Sequence, residues 1–379
     1  MSSSSPSEIY VMRPQLPDHA ALKKYISQID ANGIYTNIGP LVLKLEERLA
    51  QHVSVDADRI VSMSNGTAAL QISMLSVKKT GRYCILPSWT FVATAHAAKS
   101  AGLEPYFVDV EFSNQQLSLQ HVEEAIKTLG VDNVGAICLV TPFGAPIDLK
   151  PWEDLQDRTS IPVVLDAAAA FATVKPSKIT TCVSLHTTKI LPAGEGGFVI
   201  APDANIAKDI RARTNFGFDG TREAKQIGGN AKMSEYHAAI GLASLDAWPV
   251  KRRRFHELCS QWKDAVSDLS GVEFEAGFGD KWFNSVAVLR MSLPLGAQCK
   301  EHLLAQGVYT RRWWSRGCLQ MPAFSYCEHG DLANTDRLAA STLGLPCHTD
   351  LTQSDFEQMR NALEAFLCVH KLPPLNLAA

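Results

Sequence analysis

Ser184-Leu185-His186-Thr187-Thr188-Lys189 closes an apolar run and leads into the turn Gly194-Glu195-Gly196-Gly197. The runs on either side, 182–186 and 197–200, are short and apolar, as buried strands are. A lysine between a strand and a Gly-rich turn can be held in a cleft. Loss of water there lowers its pKa and lets the amine form an imine with a carbonyl. A surface lysine would look the same, so this loop needs its surroundings to carry meaning.

Outward from the loop, further apolar runs lie at 83–87, 105–110, 135–140 and 162–165, rich in Val, Ile, Phe and Tyr. Helix-like stretches at 68–79, 90–99 and 119–129 separate them. This alternation predicts an α/β domain around a mainly parallel sheet. Upstream, Leu41, Leu45 and Leu49 recur every four residues behind Gly39-Pro40, the pattern of an amphipathic helix. Downstream, residues 234–269 read as one or two long helices interrupted near Pro249. A strand-like stretch at 285–293 and helices near 295–306 and 354–367 then predict a smaller α+β domain. The expected division is a disordered tail over 1–10, a large domain over 11–250 and a small domain over 251–379.

Composition narrows the function. The 379 residues carry 36 Lys and Arg against 39 Asp and Glu, a net charge of −3, so no global pull toward nucleic acid or anionic lipid exists. The run Lys251-Arg252-Arg253-Arg254 reads as a solvated helix face. Nine cysteines without a Cys-x-x-Cys pair argue against a disulfide framework or a zinc site and fit a reducing cytoplasm. The histidines lack metal spacing, so no metal is expected. No signal peptide and no membrane-crossing stretch is visible.

Ligands of open α/β sheets bind beyond the carboxyl ends of the strands. Asp166 ends the run Pro162-Val163-Val164-Leu165. A carboxylate there needs a partner, either a pyridinium N–H or the backbone of a helix it caps. Asn65-Gly66-Thr67-Ala68 opens a helix, where free N–H groups favour phosphate or Asn65 serves as an ordinary cap, and Ser184 could add a hydroxyl. Phe91, in Pro87-Ser88-Trp89-Thr90-Phe91, could stack on a planar ring or simply pack. Each signal alone is weak. A phosphate cup, an aromatic, a strand-end Asp and a Ser-x-His-x-x-Lys in that order are what a pyridoxal-phosphate site needs.

Further segments strengthen the pattern: Tyr35-Thr36-Asn37-Ile38-Gly39-Pro40, Phe107-Val108-Asp109-Val110, Phe143-Gly144-Ala145-Pro146, Gly229-Asn230 with Met233-Ser234-Glu235, and Thr310-Arg311-Arg312. With these, nearly the whole chain resembles the DegT/DnrJ/StrS family of sugar aminotransferases. The resemblance implies the PLP-dependent transferase fold type I, with a seven-stranded, mainly parallel sheet in the large domain. It implies pyridoxal 5'-phosphate (PLP) as cofactor and Lys189 as the Schiff-base lysine and proton shuttle. Asp166 would pair with the pyridine nitrogen, Phe91 would stack on the ring, and His186 belongs to the same catalytic segment. Gly66, Thr67, Ala68, Ser184 and Asn230 of a neighbouring subunit would hold the phosphate, which implies a homodimer with shared sites. Tyr35, Asn37, Gly39, Arg311, Arg312 and Trp313 would face the substrate. That substrate would be a nucleotide-linked keto sugar, with L-glutamate as amino donor.

The segment 184–197 is most similar to members that aminate C4, with His186 and Glu195 in place. A C3 enzyme and a catalytically silent PLP-binding regulator are the alternatives. The product would serve amino-sugar biosynthesis for a surface polysaccharide such as lipopolysaccharide O-antigen, or a glycosylated metabolite. Two departures stand out. Ala169 occupies the position where Gln or His is usual, and Trp313-Trp314-Ser315-Arg316 replaces the commoner continuation. The second stretch could stack on a nucleotide base and reach its diphosphate, or it could pack a domain junction.

Overall fold

The computed structural model describes residues 8–375. Its strands are β1 (Ile60–Met63), β2 (Tyr83–Pro87), β3 (Glu104–Val108), β4 (Val134–Val140), β5 (Val163–Asp166), β6 (Thr180–Ser184), β7 (Gly197–Ile200), β8 (Val272–Phe274), β9 (Ala287–Met291) and β10 (Thr342–Leu345). The first seven form one sheet in the order β1-β7-β6-β5-β4-β2-β3. β7 runs antiparallel to both its neighbours, and the other strands are parallel. β1, β2, β4, β5, β6 and β7 are buried at every residue, because helices cover both faces. The carboxyl ends of β4, β5 and β6 therefore open on one side, where the lysine loop between β6 and β7 also lies.

The last three strands form a separate antiparallel sheet in the order β10-β9-β8. The helix Gly296–Ala305 packs on it and the helix Gln353–His370 on that helix. Small domain denotes this unit below, large domain the seven-stranded sheet with its helices. Its Arg290, 2% exposed, donates to the Phe112 and Ser113 carbonyls of the large domain and pairs with Glu273. A buried guanidinium is tolerable only with such partners.

Three expectations need correction. The helix Glu235–Val266 runs unbroken through Pro249 and across the expected boundary at residue 250. Trp248, Phe255, Leu258 and Trp262 are buried along it, and this packing outweighs the lost backbone bond. Of the expected tail, residues 1–7 lie outside the described residues, while Ile9 is buried and pairs with Val308 of the small domain. Its amide donates to Gly307 O, and its carbonyl accepts from Tyr309 N. The basic run is only half solvated. Arg252 and Arg253 are exposed, but Lys251 donates to Gln15 O and Arg254 to Leu351 O, tying the N-terminal segment and the small domain to the long helix. No helix among the described residues is long and apolar enough to cross a membrane.

Glu235 anchors the segment 35–42. Fully buried, it accepts from Leu41 N and Val42 N, both at 2.8 Å, and so caps the helix Pro40–Val53 with its charge. Its own amide donates to Tyr35 O. Glu235→Ala would leave two buried amides without an acceptor. We expect a loss of about 3 kcal/mol in urea unfolding; a loss below about 1 kcal/mol would contradict this role.

Candidate active site

Asp166 ends β5 with its side chain buried. One oxygen accepts from Thr94 Oγ1 at 2.7 Å and the other from Ala168 N at 3.1 Å. Thr90 Oγ1 lies 2.9 Å from Thr94 Oγ1, so a short hydroxyl chain leads to the carboxylate. Burial pushes the Asp166 carboxyl above the usual range, and these donors and the Lys189 charge pull against it. Lys189 follows the end of β6 on the loop that returns through Gly194, with its amide bonded to His186 O. Burial holds its amine below the ordinary lysine range, and the Asp166 carboxylate opposes that shift. Two groups of opposite charge thus meet at one end of the sheet without a hydrogen bond or ion pair between them.

The helix Gly66–Val77 starts beside them. Asn65 Oδ1 takes the Ala68 amide at 2.8 Å, so Ala68 is already satisfied and the free amides of the first turn are Gly66 and Thr67. A Cβ at Gly66 would come within 2.9 Å of the Ser184 side chain, so only glycine lets this turn sit against Ser184. Ser184 Oγ accepts from His186 N at 3.2 Å, which leaves its proton available to a ligand. Phe91, at the start of the helix Val92–Ser100, is 60% exposed. A bare phenyl face, two free amides, a serine hydroxyl, a buried carboxylate and an unpaired amine suit a flat cationic ring that carries an aldehyde and a phosphate.

Residues 18–364 match the DegT/DnrJ/EryC1/StrS aminotransferase family. The chain belongs to that family. It is a PLP-dependent aminotransferase with the corresponding α/β fold. A dTDP-4-amino-4,6-dideoxy-D-glucose transaminase from Shigella dysenteriae is 28% identical over 92% of this chain and 96% of its own. A UDP-2-acetamido-2-deoxy-3-oxo-D-glucuronate aminotransferase from Pseudomonas aeruginosa is 28% identical over 89% and 94%. The crystal structure of DesI in the presence of its TDP-sugar product is 31% identical, covers 96% of each chain and superposes with a TM-score of 0.85.

The other expected site residues of this aminotransferase sit as follows. His186 places Nδ1 2.8 Å from Thr188 Oγ1 and Nε2 3.5 Å from Glu195, so its ring braces the lysine loop. Asn230 pairs with Asn215 and accepts from Lys232 Nζ at 2.7 Å. Tyr35 is exposed and stacks on Tyr236, and Asn37 is left-handed (φ 65°) just before Gly39, whose Cα abuts Glu235. Arg311 lies over the Trp313 ring, and Arg312 donates to Ala339 O. Arg311 and Arg312 line a groove with Lys300 and Tyr309, separate from the cavity that reaches Lys189. Trp314 is a packed junction residue, buried and stacked on Phe143 at 4.0 Å.

Thr94 is not legible in the sequence because it lies on the helix Val92–Ser100 while its acceptor ends β5, 72 residues away. Thr94→Val would strip Asp166 of its shortest hydrogen bond and weaken the counter-charge for the ring nitrogen. A bond to a charged group contributes about 1.5–3 kcal/mol, so the PLP dissociation constant should rise about tenfold or more. A change of less than about twofold in a fluorescence titration would contradict the assignment.

Proposed function

We propose that this aminotransferase moves an amino group from L-glutamate to C4 of a nucleotide-linked 4-keto-6-deoxyhexose carried on dTDP, GDP or UDP. The carrying observation is Lys189 opposite Asp166 at one sheet end, beside a phosphate cup. Gly66, Thr67 and Ser184 would hold the cofactor's phosphate, and Asn230 of a second copy would complete the cup in a homodimer. Phe91 would cover one face of the ring and keep water from it. When bound, PLP supplies an electron sink for charge developing at the donor's α-carbon.

This chain's own groups then do the rest. Asp166 would hold a proton at the ring nitrogen, which keeps the sink effective. Lys189 would anchor the cofactor. Its free amine would take the proton from the donor's α-carbon, and in the second half-reaction deliver one to the sugar carbon that receives nitrogen. The desolvated environment of Lys189 favours the neutral amine this role needs. His186 would act by positioning, through Thr188 and the loop. Tyr35, Asn37 and Gly39 would border the sugar, with Arg311, Arg312 and Trp313 toward the nucleotide.

The 4-amino sugar in the Shigella relative's name supports C4, as do His186 and Glu195. The 3-oxo substrate of the Pseudomonas relative supports C3 as the second reading. The product would feed surface polysaccharide, such as O-antigen of lipopolysaccharide, or a glycosylated metabolite. A cytoplasmic location fits nine free thiols.

Adding glutamate to the PLP-loaded protein should remove the near-visible absorbance band. A 4-keto sugar nucleotide should restore it faster than a 3-keto one. Faster recovery with the 3-keto compound would select C3, and a band that glutamate leaves intact would favour another donor or a silent regulator. Lys189→Ala should abolish transfer, and appreciable turnover in that variant would contradict the role of Lys189.

A further inference from the structure

Asn284 and Ser285 lie just ahead of β9, where the small domain meets the large one. Asn284 is 1% exposed. Its amide nitrogen donates to Phe143 O at 2.8 Å and to Ala169 O at 2.5 Å, so one side chain bonds the loops after β4 and β5. Its Oδ1 accepts from Ser285 N at 2.8 Å, which uses the whole amide group. Ser285 Oγ donates to Thr188 O at 3.2 Å, next to Lys189. The fit is close. Phe143 is left-handed (φ 51°), and a Cβ on Gly144 would fall 1.9 Å from Asn284 Nδ2. The Asn284 carbonyl is gripped in turn by the Cys259 and Cys347 thiols, each at 3.3 Å.

We infer that Asn284 and Ser285 are a positioning pair: from the small domain they fix the Asp166 strand end and the Lys189 loop relative to each other. The inference rests on the assignment of Lys189 and Asp166 made above and adds residues that act through the backbone of the two loops. Two adjacent side chains just ahead of β9 thus bond the backbone of the loop after Asp166 and of the loop that carries Lys189. Any loosening of the small domain is then felt at Lys189.

Asp166 at the end of β5 acts on Lys189 through its charge. The lysine's own loop carries His186 and Glu195, 3.5 Å apart. Arg13, Lys251 and His348 line the cavity that Lys189 borders. Arg13 is paired with Asp350, Lys251 donates to Gln15 O, and burial lowers His348 toward its neutral form. The hydration of Lys189 therefore responds chiefly to how tightly its loop is held.

Trace labelling of cofactor-free protein with acetic anhydride, read by mass spectrometry of the Lys189 peptide across pH, tests this. Ser285→Ala removes one hydrogen bond and should keep the thermal midpoint close to that of the natural protein. Its Lys189 labelling midpoint should rise by about half a pH unit, or about threefold less free amine at neutral pH. Asn284→Ala should shift it at least as far. If that variant does not fold, Ser285→Ala carries the test alone. An unmoved midpoint in Ser285→Ala, even with lowered stability, overturns the pair as positioning residues. The near-visible band of the PLP-loaded natural protein tests the function separately. A band with an unmoved midpoint leaves the function and removes the pair. No band with a shifted midpoint removes the function and leaves the pair.

Discussion

A carboxylate buried at the end of a strand is costly unless positive or donating groups face it. Asp166 meets that demand only partly from within the chain, through one threonine hydroxyl, one backbone amide and the field of Lys189. Lys189 is stripped of water in turn. Each side chain would be a liability alone. Together they form a site that a flat cationic ring can complete, and the surrounding sheet is arranged to hold them there. β5 sits centrally and parallel to β4 and β6, so its last residue opens onto the ligand side, and the antiparallel return of β7 pins the lysine loop beside it.

The small domain is part of this arrangement. Arg290 reaches into the large domain, Lys251 and Arg254 bind the N-terminal segment and the Thr349–Leu351 stretch to the long helix, and Asn284 and Ser285 reach the loop after Asp166 and the loop of Lys189. These contacts run through backbone carbonyls, which carry no residue preference and so leave little trace in the sequence.

That explains which parts were legible. The runs at 83–87 and 197–200 and the helix at 119–129 were read to the residue, because buried strands and amphipathic helices advertise their pattern. The strand-end rule points to Asp166, and the structure sets Lys189 within its field and Gly66 against Ser184. β1, β8 and β10, of three or four residues each, were missed because they exist only through their sheet partners. Pro249 misled because proline cost is local while the packing that offsets it is not. Ala68 gives its amide to Asn65, the ordinary cap that the sequence leaves open, and Trp314 is a junction residue because its stacking partner Phe143 lies far off in the chain.

The central claim is that one amine, that of Lys189, carries the cofactor. Borohydride reduction of the PLP-loaded protein, followed by peptide mass spectrometry, tests it most directly. A phosphopyridoxyl mass is expected on the peptide containing Lys189 and on no other lysine in stoichiometric amount. A stoichiometric adduct on another lysine, or none at all, would contradict it.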